Sequence, residues 1–440
     1  MTAPAFRVDS PTVFRIAVPM TLASVTTPLL GAVDTAVVGR FGSAAILGGI
    51  AVGALIFDFL FTTFNFLRSG TTGLTAQALG AGDEHAMSVT LLRALVLAAV
   101  SGILMIVFSG PILTAAIAFI APSGAVAEAT RTYYDIRILS APFALANYAI
   151  LGWVLGLGRA GLGLSLQLLL NGVNVVGSVG LGLWAGWGIA GVAWGTVIGE
   201  VTATVVGLAV ALAIGRRGFH NVLGDLFARA AFLRMIAVNR DIMIRSFALL
   251  VAFATFTRAG AQFGDTTLAA NAILMNFFLI GAYFLDGLAT AAEQLAGRAV
   301  GARHQASFMT AVRLTVIWGF ALSAVAGLFF FALGTSLIAL MTTAPDVRTM
   351  AAIYLPWAAL TPLAGVLAFQ MDGVYIGATW SAEMRNMMLI SLAIFLAVLF
   401  TAAPLLGNHG LWLALLVFLG ARGITLAGRL RPLAARTFAA

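Results

Sequence analysis

The sequence predicts an all-α integral membrane protein of about twelve spanning helices, and three observations carry that prediction. Hydrophobic residues make up 61% of the 440 positions, charged residues only 9%, and apolar runs near twenty residues recur from end to end. A soluble globular chain carries about a quarter charged residues, because its surface must face water. About twenty residues at 1.5 Å rise cross a hydrocarbon core of about 30 Å. A transmembrane β-barrel requires segments of about ten residues with alternating polarity, which these long runs do not have.

Taken in order, the first half contains spans near 13–38, 44–67, 90–118, 132–157, 162–184 and 188–214. The second half contains 242–263, 267–293, 309–341, 349–377, 386–405 and 409–428. The first run is too long for the apolar core of a signal peptide and reads as a span. The stretch 216–241 between the halves is polar and amphipathic, and reads as a cytoplasmic linker, partly helical along the membrane surface. The expected organisation is a lobe of residues 1–215, the linker 216–241 and a second lobe of 242–440.

The net charge of +8 does not indicate nucleic-acid binding, because the basic residues lie between apolar runs and form no solvated patch. All 24 basic residues are Arg. Sorting them by alternating sides puts nineteen with the N-terminus, and only Arg40, Arg131, Arg137, Arg258 and Arg348 opposite. The positive-inside rule then predicts a multi-pass protein of the cell's inner, or plasma, membrane with both termini cytoplasmic. With no Cys and four scattered His there is no disulfide framework and no metal-ligand spacing, so no metal is expected.

An internal repeat underlies the two halves. Phe41-Gly42 matches Phe263-Gly264, Gly80-Ala81 matches Gly301-Ala302, Tyr134 matches Tyr354, Pro142 matches Pro362 and Gly156 matches Gly377, always about 220 positions apart. Six spans per half is an even number, so both halves enter the membrane in the same direction.

Six stretches together form a signature: PLLGAVDTAVVGRFG from Pro28, FLRSGTTGLTAQ from Phe66, IRILSAPFALAN from Ile136, DGLATAAEQLAGRAVGAR from Asp286, YIGATWSAEMRN from Tyr375 and LGNHGLWLA from Leu406. They resemble the multidrug and toxic compound extrusion (MATE) family, in its DNA-damage-inducible DinF branch, over nearly the whole chain. The resemblance implies a V-shaped antiporter of two six-helix bundles. By alternating access it would export cationic or amphipathic small molecules, such as drugs or toxic metabolites, against an inward cation flux. No cofactor is implied beyond the ion gradient, protons being favoured over Na⁺. The expected partners are a small-molecule substrate and the lipid bilayer, with no nucleic acid, and a monomer suffices.

An ionisable group at membrane depth needs water, a partner or a proton, since Asp at a helix centre costs about 2.5 to 3.5 kcal/mol. Asp34 lies deep in the first apolar run, after Pro28 and Gly31, and is the first candidate for proton coupling, the alternative being a hydrogen-bonded structural Asp. In the resembled family this Asp works with an Asn and an Asp four residues on in the fifth span. Here that segment reads LLLNGVNVVGSVG, with Asn171, Asn174 and then Ser178 in place of the second carboxylate. Interhelical packing is the rival reading for the two amides. Glu200, mid-span in the sixth helix, joins this site or pairs with an Arg, and its repeat counterpart is Arg422.

Secondary candidates are Asp58 in the second span and Asp286, Glu293 and Asp372 in the second lobe, with Asp286 and Glu293 seven apart on one helical face. Sodium-coupled members of the resembled family pair a Glu of the seventh span with an Asp of the tenth. The seventh span here, SFALLVAFATFTRAGAQFG, has no carboxylate, so Asp372 is half of such a site. Aromatic residues at Phe57, Phe59, Phe61, Phe64, Phe66, Phe277, Phe278, Tyr283 and Phe284 either line a cleft for flat cations or face lipid.

Two other classes share parts of this pattern. A lipid-linked glycan flippase of the wider superfamily would need a cationic cavity for pyrophosphate, whereas the intramembrane residues read as mostly acidic. An intramembrane enzyme would need paired carboxylates, a nucleophile set or metal-ligand spacing in a loop, and none occurs, nor does a phosphate-binding GxxxxGK[ST] loop, so no enzyme is expected.

Overall fold

The computed structural model describes residues 7–40, 43–215 and 222–439, with the side chains of 27–30, 32, 34, 35 and 223 outside the description. Sixteen α-helices follow one another in the described residues: α1 (Ser10–Gly39), α2 (Ala44–Thr63), α3 (Phe66–Ala81), α4 (Glu84–Val107), α5 (Ser109–Ile120), α6 (Gly124–Arg137), α7 (Ala141–Gly156) and α8 (Ala160–Gly177). After these come α9 (Gly188–Ile214), α10 (Val222–Leu226), α11 (Arg229–Ala261), α12 (Asp265–Gly301), α13 (Gln305–Met341), α14 (Pro345–Gly377), α15 (Ser381–Leu406) and α16 (Asn408–Ala439). Eleven stretches among the described residues are long and apolar enough to cross a membrane, and the 30-residue α1 occupies the remaining expected place. The all-helical membrane class read from the sequence therefore holds.

Several spans are broken where the sequence reading ran them straight. The run 90–118 is two helices, because Pro111 has no N–H to donate and its ring opposes the carbonyl four residues earlier, so α4 stops at Phe108. A short 3₁₀ turn, Ile138–Ser140, precedes Pro142 at the start of α7. Past Gly177, α8 widens into a π-helical stretch, Ser178–Trp184. Within 216–241, α10 and the start of α11 are helical, and α11 runs unbroken from Arg229 into the seventh span, while Arg216, Arg217 and His220 lie outside the described residues.

The chain divides into two compact units, Leu22–Ile236 and Met1–Thr21 with Ala237–Ala440. Within the second unit the start of α1 is held by a Trp318 indole donating to Ser10 Oγ at 3.0 Å, and by Gly287, where a Cβ would stand 2.1 Å from Thr21 Oγ1. The core of the first unit is built on Phe57, Leu67, Tyr133, Tyr134 and Leu145, and that of the second on Phe256, Phe277, Phe395, Trp412 and Phe418.

The repeat is visible in backbone conformation. Left-handed residues occur at Gly82, Gly158 and Gly186 in the first half and at Arg303, Thr379 and Gly407 in the second, again about 220 positions apart. In the first pair the residue that follows caps the next helix: Asp83 Oδ1 accepts from Ala86 N at 2.8 Å, and His304 Nδ1 accepts from Ser307 N at 3.1 Å.

Candidate functional site

A cavity of about 370 Å³ lies within the first unit, among α2, α6, α7, α8 and α9. Helical spacing sets its walls. On α7 the positions Ala144, Asn147, Tyr148 and Leu151 share one face, and on α8 so do Leu166, Gln167, Leu170 and Asn171. On α2, Phe57 turns into the core, so its neighbour Asp58 turns outward to the cavity. Glu200 and Ala203 complete the wall from α9.

Glu200 is positioned by Asn147. The amide nitrogen donates to Glu200 Oε2 at 2.6 Å and to the Glu200 carbonyl at 3.0 Å. The amide oxygen accepts from Thr204 Oγ1 at 3.1 Å, so the clamp is itself oriented. At the end of α6, Arg137 donates from Nη1 to Tyr133 Oη at 2.9 Å, and its guanidinium carbon lies 4.6 Å from the centre of the Phe57 ring. Asp58 and Glu200 are within electrostatic reach of it. Asn171 Nδ2 donates to Thr26 Oγ1 of α1 at 3.0 Å, which brings α1 to the cavity edge, and Gln167 donates to Asn171 Oδ1.

The residues expected from the sequence thus fall into groups. Glu200, Asp58 and Asn171 line one cavity. Asn174 and Ser178 are buried against α9 instead: Asn174 Nδ2 donates to Thr196 Oγ1 at 3.0 Å and Ser178 Oγ donates to Asn174 Oδ1 at 3.2 Å. There Gly177 and Gly195 let the backbones nearly touch, since a Cβ on Gly177 would stand 2.6 Å from Gly195 Cα. Both side chains are thus bonded within the contact of α8 and its π-helical extension with α9. Asp34 lies on α1, eight residues beyond Thr26, and its side chain is outside the described residues.

In the second unit Asp372 is no open carboxylate. Its Oδ2 accepts from Arg245 Nη2 and Arg422 Nη2, and Arg422 is 3% exposed. Asp372, read from the sequence as half of a cation site, thus stands in an ion triad with the buried Arg422 and the partly buried Arg245, and its Oδ1 has no hydrogen-bond partner among the described residues. Arginines accompany these acids: Arg137 stands at the end of α6, and Arg245 and Arg422 stand within α11 and α16. Asp286 and Glu293 share a face of α12 but not an environment, Asp286 being exposed and Glu293 2% exposed. Of the aromatic residues, Phe57 and Phe277 are core, Phe61 faces the cavity of the first unit, and Phe59 and Phe284 are exposed. Phe278 faces an apolar cavity in the second unit.

Arg137, Asn147, Tyr148 and Gln167 were not anticipated. Arg137 carried a signal, a charge inside the run 132–157, but sorting it as a topogenic residue hid it.

The MatE family model matches residues 19–179 and 242–405, once in each half. The chain belongs to the MatE family. Among MatE relatives, the DNA damage-inducible protein F of Escherichia coli is 40% identical over 415 residues, covering 94% of this chain and 90% of that one. The chloroplastic protein DETOXIFICATION 44 of Arabidopsis thaliana is 28% identical, covering 95% and 81%. A probable multidrug resistance protein NorM of Caulobacter vibrioides is 28% identical, covering 68% and 64%. A crystal structure of MATE in the bent conformation superposes with a TM-score of 0.89 at 18% identity, covering 98% of this chain and 97% of that one. An outward-facing multidrug resistance MATE transporter superposes with a TM-score of 0.81 at 18% identity, covering 98% and 96%. These two matches speak to the fold.

Proposed function

We propose that this MatE protein is a secondary antiporter of the inner membrane, exporting cationic or amphipathic small molecules in exchange for inward protons by alternating access. The observation that carries the reading is the cavity of the first unit, where the carboxylates of Glu200 and Asp58 meet apolar walls from Phe61, Ile150 and Leu166 among spanning helices. A carboxylate there holds either a proton or an organic cation, and mutual exclusion of the two is what exchange requires. Asp34 on α1 is the coupling group we assign to the same side of the chain, with Asn171 and Thr26 holding α1 near the cavity. The multidrug character of the NorM relative supports the substrate class.

Proton rather than sodium coupling is favoured because the seventh span, 242–263, has no carboxylate and Asp372 of the tenth is engaged by Arg245 and Arg422. Reconstituted protein should export an organic cation under an inward proton gradient and do little under a sodium gradient alone. Robust sodium-driven export that ignores pH would refute the assignment.

A further inference from the structure

We infer that the cavity of the first unit is bipolar, and that it selects amphoteric ligands carrying a cationic group at one end and a carboxylate at the other. The inference rests on the proposal that this cavity is the substrate site. Its two charge types share the lining without forming an ion pair among the described residues. Glu200 is engaged by Asn147, at 2.6 Å, and not by the guanidinium. Arg137 is fixed separately, by Tyr133 Oη at 2.9 Å and by the rings of Phe57 and Tyr133, whose centres lie 4.6 and 5.6 Å from its guanidinium carbon. Among the described residues Arg137 forms no ion pair, and its Nε has no hydrogen-bond partner.

Asp58 and Glu200 act on this guanidinium only through space, so its fork still has donors to offer, and Nε has no acceptor. Aromatic faces compensate part of its charge and hold it still, but they accept no hydrogen bond in the plane of its fork. A ligand carboxylate meets that need, because guanidinium and carboxylate pair through two parallel hydrogen bonds. A ligand that were a cation only would find Glu200 and Asp58 attractive and Arg137 repulsive. One with both groups gains from each pole, while its apolar body meets Phe61, Leu166 and Leu170.

A matched pair of dyes tests this: rhodamine 110, which carries a free carboxylate on a cationic ring system, and rhodamine 123, its methyl ester. Fluorescence anisotropy would follow each dye binding to the full chain in lipid nanodiscs. The wild-type protein should bind the acid about tenfold more tightly than the ester, the scale of one charge-assisted pair. Arg137→Gln should erase that preference while keeping or improving ester binding, and Arg137→Lys should restore part of it, since an ammonium keeps charge but not the fork. Equal binding of the two dyes by the wild type, or a preference that survives Arg137→Gln, would overturn the inference and leave proton-driven export standing. Binding of neither dye by the wild type would overturn the inference together with the assignment of this cavity as substrate site. If Arg137→Gln does not fold, the acid-to-ester ratio of the wild type still decides.

Discussion

At the scale of single residues, two carboxylates that looked alike in the sequence have different partners, an amide for Glu200 and two guanidinium groups for Asp372. Glu200 keeps an oxygen toward the cavity while Asn147 orients it, so Glu200→Gln should fold normally, as the Gln carbonyl still accepts from Asn147 Nδ2. It cannot exchange a proton, and proton-driven export should fall to background in proteoliposomes. Undiminished flux would remove Glu200 from the mechanism. Asp372→Asn should do the reverse. It leaves the buried Arg422 and the partly buried Arg245 without their anion, which costs about 3 to 5 kcal/mol and should appear as a lower midpoint of thermal unfolding in detergent. An unchanged midpoint with lost export would return Asp372 to a functional role. The sequence made Glu200, Asp58 and Asn171 legible, because a polar side chain in an apolar run is conspicuous. It could not reveal Asn147 as a clamp, because an amide inside a span is equally suited to helix packing. Nor could it pair Asp372 with Arg245 and Arg422, which are 127 and 50 residues away in the chain.

At the scale of elements, helix contacts depend on glycine at a few crossings. On α14, a Cβ at Gly373 would stand 2.2 Å from the Ala289 carbonyl oxygen, and one at Gly377 would stand 2.1 Å from that of Glu293. Backbone atoms cannot move aside as a side chain does. Gly373→Ala and Gly377→Ala should each destabilise the protein by about 1 to 3 kcal/mol, the cost of overpacking a tight contact. Gly420→Ala, with nothing within 4 Å, should be neutral or slightly stabilising by helix propensity. Thermal unfolding of the three variants checks the order, and equal midpoints would mean the α12 and α14 contact is looser than described. Hydropathy placed the helices themselves well, since a run of apolar residues and a span are nearly the same statement. Their internal breaks at Phe108 and at Ile138–Ser140 needed local proline chemistry that a window average smooths away. At the end of α13 a side chain supplies the cap: Arg348 reaches back from α14 to the Ala339 and Thr342 carbonyls at 2.8 and 2.7 Å. Arg348 had read only as a topogenic charge.

At the scale of the whole molecule, the repeat and the charge bias make claims that can be separated. The matched left-handed turns and the double MatE match belong to duplication. Orientation belongs to the Arg bias, and the native chain has no Cys to complicate its measurement. Ala228→Cys, just before α11, should react with an impermeant maleimide only from the cytoplasmic side, and Thr343→Cys, between α13 and α14, only from outside. The opposite pattern would invert the topology. The central claim, that proton and substrate compete for carboxylates of the first unit, has a more direct test in substrate-evoked proton release from purified protein. Adding an organic cation to wild-type protein in weak buffer should release protons. Asp34→Asn and Glu200→Gln should each lose most of that release while remaining folded. Release of wild-type size from both variants would contradict the account and place the exchanged proton elsewhere in the chain.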